Sequence, residues 1–199
     1  MMAINQWVNN LTTKKVPIEP LIVFRIVFGL MMSISTLRFI LKGWVEDLYV
    51  TPTYFFTYYG FDWITPLDIS SMYLLFIALF ISSILIMIGL FYRFNIILYF
   101  IIFTYIELID KTNYLNHYYF ISCISFILIF LPAHRNFSLD ILLGICSKKT
   151  NCSSWMINCI KLQIGIVYFY AGISKLNYHW LFEAEPLINW LKHLSDFPV

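Results

Sequence analysis

Charge is scarce in this chain. Only 12% of its 199 residues are Asp, Glu, Lys or Arg, against 60% that are hydrophobic and 20% that are aromatic. A soluble globule of this length has too little interior to hide so much apolar surface, so a water-bathed domain is excluded and lipid is required. The net charge is only +2 and no basic run is present, which excludes an electrostatic nucleic-acid partner. Alternation of polar and apolar residues is missing too. That argues against a β-barrel and leaves helices as the spanning structure.

Cysteine is sparse and unpatterned. Cys123, Cys146, Cys152 and Cys159 form no CxxC pair, and no histidine stands at metal-ligand spacing from them. Cys146 and Cys152 flank a basic loop assigned to the cytoplasm, where thiols stay reduced. Structural thiols are therefore expected, not redox ones. HExxH, GxSxG and glycine-rich phosphate loops are absent, so metal, serine-hydrolase and phosphoryl-transfer chemistry have no support, and no metal site is expected. No cleavable signal stands out: Met1 to Glu19 is polar, and the apolar run from Pro20 lacks a small-residue cleavage site.

What the chain does contain is apolar runs. Five are long enough to consider as spans: Pro20–Leu41, Met72–Tyr92, Phe94–Ile109, Tyr118–Leu131 and Trp155–Ser174. A helix needs roughly 20 residues to cross about 30 Å of hydrocarbon. The third run is short, and the fourth is short unless Tyr114 and Leu115 join it. The expected fold is an all-α polytopic membrane bundle of about five spans. A cytoplasmic segment, 1–19, precedes a membrane domain, 20–199. Between the first two spans, Lys42–Ser71 is crowded with aromatics and broken by Pro52, Gly60 and Pro66, so it reads as an interfacial or re-entrant roof. With the N-terminus inside, Lys14, Lys15, Arg93, Arg135, Lys148 and Lys149 fall on the cytoplasmic side. Lys42, Lys111, Lys175 and Lys192 fall outside.

In either orientation, Asp110–His117 follows the third run and Lys175–Trp180 follows the fifth, so both emerge on one face. Lys175 is the sharpest residue. Tyr168, Ala171 and Gly172 share its helical face, and small residues there let another helix approach. A lysine in a dry, crowded site acts as a base, whereas a lysine at the lipid boundary simply snorkels to water. His117, beside Asn116, Tyr118 and Tyr119, suits proton transfer, or it caps a helix within an aromatic belt. Asp110 and Lys111 are expected to mark the water boundary. Arg25, Arg38 and Lys161 lie near span ends, where snorkelling accounts for them about as well as function does, and Glu107 is within reach of a pairing with Arg38.

At these residues the chain resembles the vitamin K-dependent γ-glutamyl carboxylase family, whose membrane part is the HTTM (horizontally transferred transmembrane) domain. The likeness runs through Phe24–Leu30, Gly89–Arg93, Asp110-Lys-Thr with Asn116-His117, Pro132-Ala-His-Arg with Ser138-Leu-Asp140, and Val167–Lys175 with Trp180. It implies that Lys175 is the base that deprotonates vitamin K hydroquinone and that His117 serves the carboxylation half-reaction. Asn116, Tyr118 and Tyr168 are then candidates for contacting the quinone. The implied reaction consumes O2 and CO2, forms the quinone epoxide and converts Glu of a protein substrate to γ-carboxyglutamate, on the extracytoplasmic face. Ser174 departs from the family, which has a lysine there. The family also continues with further spans and a large extracytoplasmic domain. The chain ends at Val199, so a fragment or shortened member, inactive as it stands, is expected. The alternative is a non-enzymatic HTTM membrane protein that assists maturation or export of a secreted peptide.

Overall fold

The computed structural model describes residues 12–184 together with Ile188 and Leu191. Lys192 and Val199, named above, lie outside the described residues. The chain divides into two compact units, residues 1–160 and 161–199, and each is taken by itself.

Four helices are long and apolar enough to cross a membrane: α1 (Glu19–Leu41), α3 (Ile69–Ile88), α4 (Tyr92–Ile109) and α7 (Ser154–Ser174). Between them come α2 (Trp44–Tyr49), α5 (Asn116–Phe130) and α6 (Leu139–Leu142), and α8 (Tyr178–Leu181) follows. The chain is thus an all-α polytopic membrane protein. α5 is apolar but has only 15 residues, about 22 Å at 1.5 Å per residue, yet it carries the chain back to the start of α4, where the Tyr92 hydroxyl donates to the Leu128 carbonyl at 3.0 Å. Tyr114 and Leu115 do not lengthen it, because both hold extended backbone.

Local chemistry sets the helix starts. Pro20 sits in the first turn of α1, where its missing N–H costs nothing, and Glu19 complements the helix dipole. Asp68 caps α3 by accepting from the Ser71 N–H at 3.2 Å, so that helix begins three residues before Met72. Gly89 ends α3 in the left-handed conformation, and Leu90 N–H reaches back to the Leu85 carbonyl.

Within the first unit, α1 packs on α3, α3 on α4, and α4 on α5. The α1–α3 approach is the tightest. A Cβ on Gly29 would lie 2.6 Å from the Met87 nitrogen and 2.7 Å from the Ser83 carbonyl oxygen. Ser33, Ser82 and Ser83 are buried in the same bundle. The Ser33 and Ser83 hydroxyls donate to their own helices, at Leu30 and Phe80, so neither needs water. The opposite face of α1 presents Val23, Val27, Met31 and Ile34 outward, as a lipid-facing side must.

At the end of the bundle where α3 turns into α4, Phe91 takes a positive φ and α4 starts at Tyr92. The Asp140 carboxylate accepts from the N–H groups of Phe91 (2.7 Å) and Tyr92 (3.1 Å), while its own N–H donates to the Gly89 carbonyl. His134 stacks on the Tyr92 ring with centroids 5.0 Å apart, and Ser138 donates to the His134 carbonyl. A two-stranded antiparallel ribbon, β1 (Lys15–Pro17) against β2 (Asn151–Ser153), closes this end. The described cysteines are unpaired, and burial raises the Cys146 and Cys152 thiols, which suits inert structural thiols.

Two outcomes follow. Gly29→Ala should lower stability by about 1–3 kcal/mol or more, because backbone of the facing helix occupies the space a methyl needs. An unchanged unfolding midpoint in detergent would show that α1 and α3 do not approach this closely. His134 gives a pH signature. Burial, reinforced by Arg93, lowers its imidazole from 6.5 to about 4. Between those values the unfolded chain takes up a proton that the folded one refuses, so stability falls as pH falls through that window. Thermal unfolding of wild type and His134→Phe, followed from neutrality to pH 4, should show a steeper loss of stability in the wild type than in the variant.

Candidate functional site

Asp110 organises the opposite end of the bundle, and it is buried, not at a water boundary. Its Oδ1 accepts from the N–H groups of Phe56 (3.3 Å) and Thr112 (3.0 Å), and its Oδ2 accepts from the Thr112 hydroxyl (2.7 Å). Lys111 N–H answers by donating to the Phe56 carbonyl at 2.8 Å. The aromatic segment after α2 is thereby laced to the end of α4. The Tyr105 hydroxyl adds a bond to the Thr65 carbonyl at 2.6 Å. From Asp110 the chain makes a 3-10 turn (Lys111–Asn113), two extended residues, and then α5 from Asn116.

Beneath this lacing lies an aromatic chamber. An inner recess of about 50 Å³ is lined by Thr36, Phe39, Tyr49, Phe76, Glu107 and Tyr118, among others. A groove of about 360 Å³ adjoins it, sharing Phe39, Tyr49, Asn113 and Tyr118 and adding Trp44. Phe39 stacks on Phe76 at 5.0 Å and meets Trp44 edge-on at 5.4 Å, and Tyr118 stands perpendicular to Phe103. These rings build flat apolar walls with few polar points. Glu107 accepts the Ser122 hydroxyl at 2.5 Å. Burial, then the charges of Tyr118, Asp110 and Glu107, pushes the Tyr49 phenol above its ordinary value and keeps it a hydrogen-bond donor. A groove of this size, mostly apolar with a few fixed polar groups, has the character of a small-molecule site.

The sequence-derived candidates distribute as follows. Tyr118 is half-buried and lines both recesses. His117 and Asn116, the first residues of α5, are exposed, and the His117 ring meets Tyr118 edge-on at 4.7 Å. Lys175 and Tyr168 belong to the second unit and are exposed. There Lys175 Nζ lies over the Trp180 ring at 5.1 Å. Asn177 shapes this turn: its side chain caps α8 at the Trp180 N–H and donates to the Ser174 carbonyl. The pairing of Glu107 with Arg38 is not made. Arg38 and Lys42 both lie against Trp44, at 5.4 and 4.8 Å from its ring centre, and Glu107 is held by Ser122. Thr36, Phe39, Tyr49 and Phe76 escape sequence reasoning because no spacing links them. The one available signal was Glu107, an acid inside an apolar run.

Asp110→Ala removes three accepted hydrogen bonds at once. Amide exchange at Phe56 and Thr112 should accelerate, with a cost of about 1–3 kcal/mol for the donors left unpaired. Unaltered protection at both amides would show that the segment holds without the carboxylate.

No solved structure matches the chain. The model of the HTTM domain matches residues 13–199, a stretch that takes in the strand ribbon, the helices α1 to α8 and both polar segments. The chain therefore belongs to the HTTM domain family.

Proposed function

We propose that this HTTM-domain protein binds a reduced quinone of the vitamin K class in the aromatic chamber and supports γ-glutamyl carboxylase-like chemistry. The observation that carries the reading is the chamber itself: stacked rings around Glu107 and Tyr49, beside the Asp110–His117 segment. A flat ring system is matched by Phe39, Phe76 and Trp44. A phenolic hydroxyl of the ligand is matched by the Glu107 carboxylate as acceptor and the Tyr49 phenol as donor. The hydroquinone supplies the reducing power that O2 consumes.

In this reading Lys175 is the base toward the hydroquinone hydroxyl. His117 serves the addition of CO2 to a Glu of a protein substrate. Asn116, Tyr118 and Tyr168 contact the ring, and the two motifs work on the extracytoplasmic face. A second reading, a non-enzymatic membrane protein that assists a secreted peptide, is favoured by one observation. Within its unit Lys175 is exposed, and amine-base chemistry calls for a water-excluded site.

Two variants separate the parts of the proposal. Tyr118→Ala should weaken binding of reduced vitamin K about tenfold, the worth of one well-packed ring. Lys175→Ala should leave that binding intact while abolishing epoxide formation, with partial rescue by an added small amine. Wild-type epoxide yield from Lys175→Ala would overturn the base assignment. Binding without any epoxide from the wild-type protein would favour the second reading.

A further inference from the structure

At the Asp140 end, Arg25 is wholly buried yet poorly satisfied. Its Nη2 donates to the Phe137 carbonyl at 2.7 Å, while Nε and Nη1 have no hydrogen-bond partner. Among the described residues no carboxylate oxygen lies within ion-pair distance. Asp140 is near enough to act electrostatically, but its two oxygens hold the Phe91 and Tyr92 N–H groups. Gly89 lacks the Cβ that would strike Nη1 at 2.0 Å, so the turn leaves the space the guanidinium fills. A buried guanidinium with one neutral acceptor is expensive unless an anion completes it.

The same arginine lines a cavity of about 600 Å³ between α1, the end of α3 and residues 136–142. Lys148 stands at this cavity and is exposed, Asn136 and Ser138 add polar atoms, and no acidic residue lines it. The remaining wall is apolar, from Ile26, Met87, Ile88, Leu139, Ile141 and Leu142. Leu142 and Phe137 are each 80% exposed, so the apolar surface continues outward from the cavity. Two cations lining an otherwise largely apolar slot suit an amphiphile that carries an anion on a hydrocarbon tail.

We propose that this cavity is a binding site for an anionic phospholipid, its phosphate between Lys148 and Arg25 and an acyl chain along Ile26, Met87 and Ile141. Arg25, its Nη2 held by the Phe137 carbonyl, contributes its positive charge and unpartnered N–H groups from the buried side, and Lys148 contributes a point charge at the mouth. The site rests on residues that the quinone reading does not use, so either stands without the other.

The test uses the full chain in vesicles of phosphatidylglycerol mixed with phosphatidylcholine, followed by native mass spectrometry of lipid retained after extraction. Arg25 also anchors Phe137, so the variants are placed on exposed positions. Phosphatidylglycerol should be retained in preference to phosphatidylcholine. Lys148→Ala should lower that retention about fivefold, the factor one lysine is worth beside an anionic headgroup. Leu142→Asp should lower it further by putting a carboxylate on the wall. Lys149→Ala, the same charge on the same loop but lining a different recess, should have a smaller effect than Lys148→Ala. Equal loss from Lys149→Ala and Lys148→Ala would reduce the effect to general surface charge and overturn the site. Competition by inorganic phosphate as effective as lipid would overturn the lipid as occupant, and equal retention of the two phospholipids would overturn its charge selectivity.

Discussion

Where water is scarce, each main-chain N–H needs a partner supplied by the protein, and that constraint shapes both ends of this bundle. Helices satisfy it in their interiors, but the breaks between them cannot. Two breaks in the first unit are closed in the same way. Asp140 takes the two N–H groups where α3 gives way to α4, and Asp110 takes those of Phe56 and Thr112 where α4 ends. An ionised carboxylate is the strongest acceptor a side chain offers, and its bonds to N–H groups are charge-assisted. Each bond from Asp140 spans at least 48 residues and that from Asp110 to Phe56 spans 54, so these are tertiary ties as well as caps.

That reach explains what could be read from the chain and what could not. Apolar length located α1 nearly to the residue, with Pro20 and Leu41 both in place, because hydropathy is a local property. The start of α4 moved from Phe94 to Tyr92 because its cap comes from Asp140, far along the chain. Asp110 looked like a water marker for the same reason: nothing near it in sequence announces that Phe56 will donate to it. α5 starts only at Asn116 since Tyr114 and Leu115 are used in the link from the 3-10 turn. Resemblance pointed to the segment Asp110–His117, and the chamber does sit beside it. Yet of the named candidates Tyr118 alone lines that chamber, since walls gathered from α1, α2, α3 and α4 leave no linear motif.

The chamber and the Asp140-end cavity differ in the sign of their polar groups, and the difference decides what each can hold. Around the chamber, cations are diverted onto an indole: Arg38 and Lys42 both lie against Trp44, which leaves Glu107 as the carboxylate of the inner recess. A carboxylate held by one serine accepts hydrogen bonds from ligand hydroxyls and repels anions. At the other cavity the acid is spent on backbone caps, and Arg25 and Lys148 remain facing an apolar wall. In the proposed lipid site that wall takes the hydrocarbon tail while the two cations take the anionic head.

One helix sets the position of both. The buried stripe of α1 runs through Arg25, Phe28, Gly29, Ser33 and Thr36. Arg25 and Thr36 are eleven residues apart, about three turns and 16 Å along one face. Gly29 lies between them, against the backbone of Ser83 and Met87. The depth at which α1 sits on α3 therefore fixes how far Arg25 is pressed against Gly89 at one end. It equally fixes how closely Phe39 stacks on Phe76 at the other. A cavity wall made of whole helices cannot be adjusted residue by residue, because interiors at crystal-like density transmit a local shift to the next contact. The small-residue seam thus does more than join two helices: it holds the two cavities at fixed size, and neither can be widened through α1 without disturbing the other.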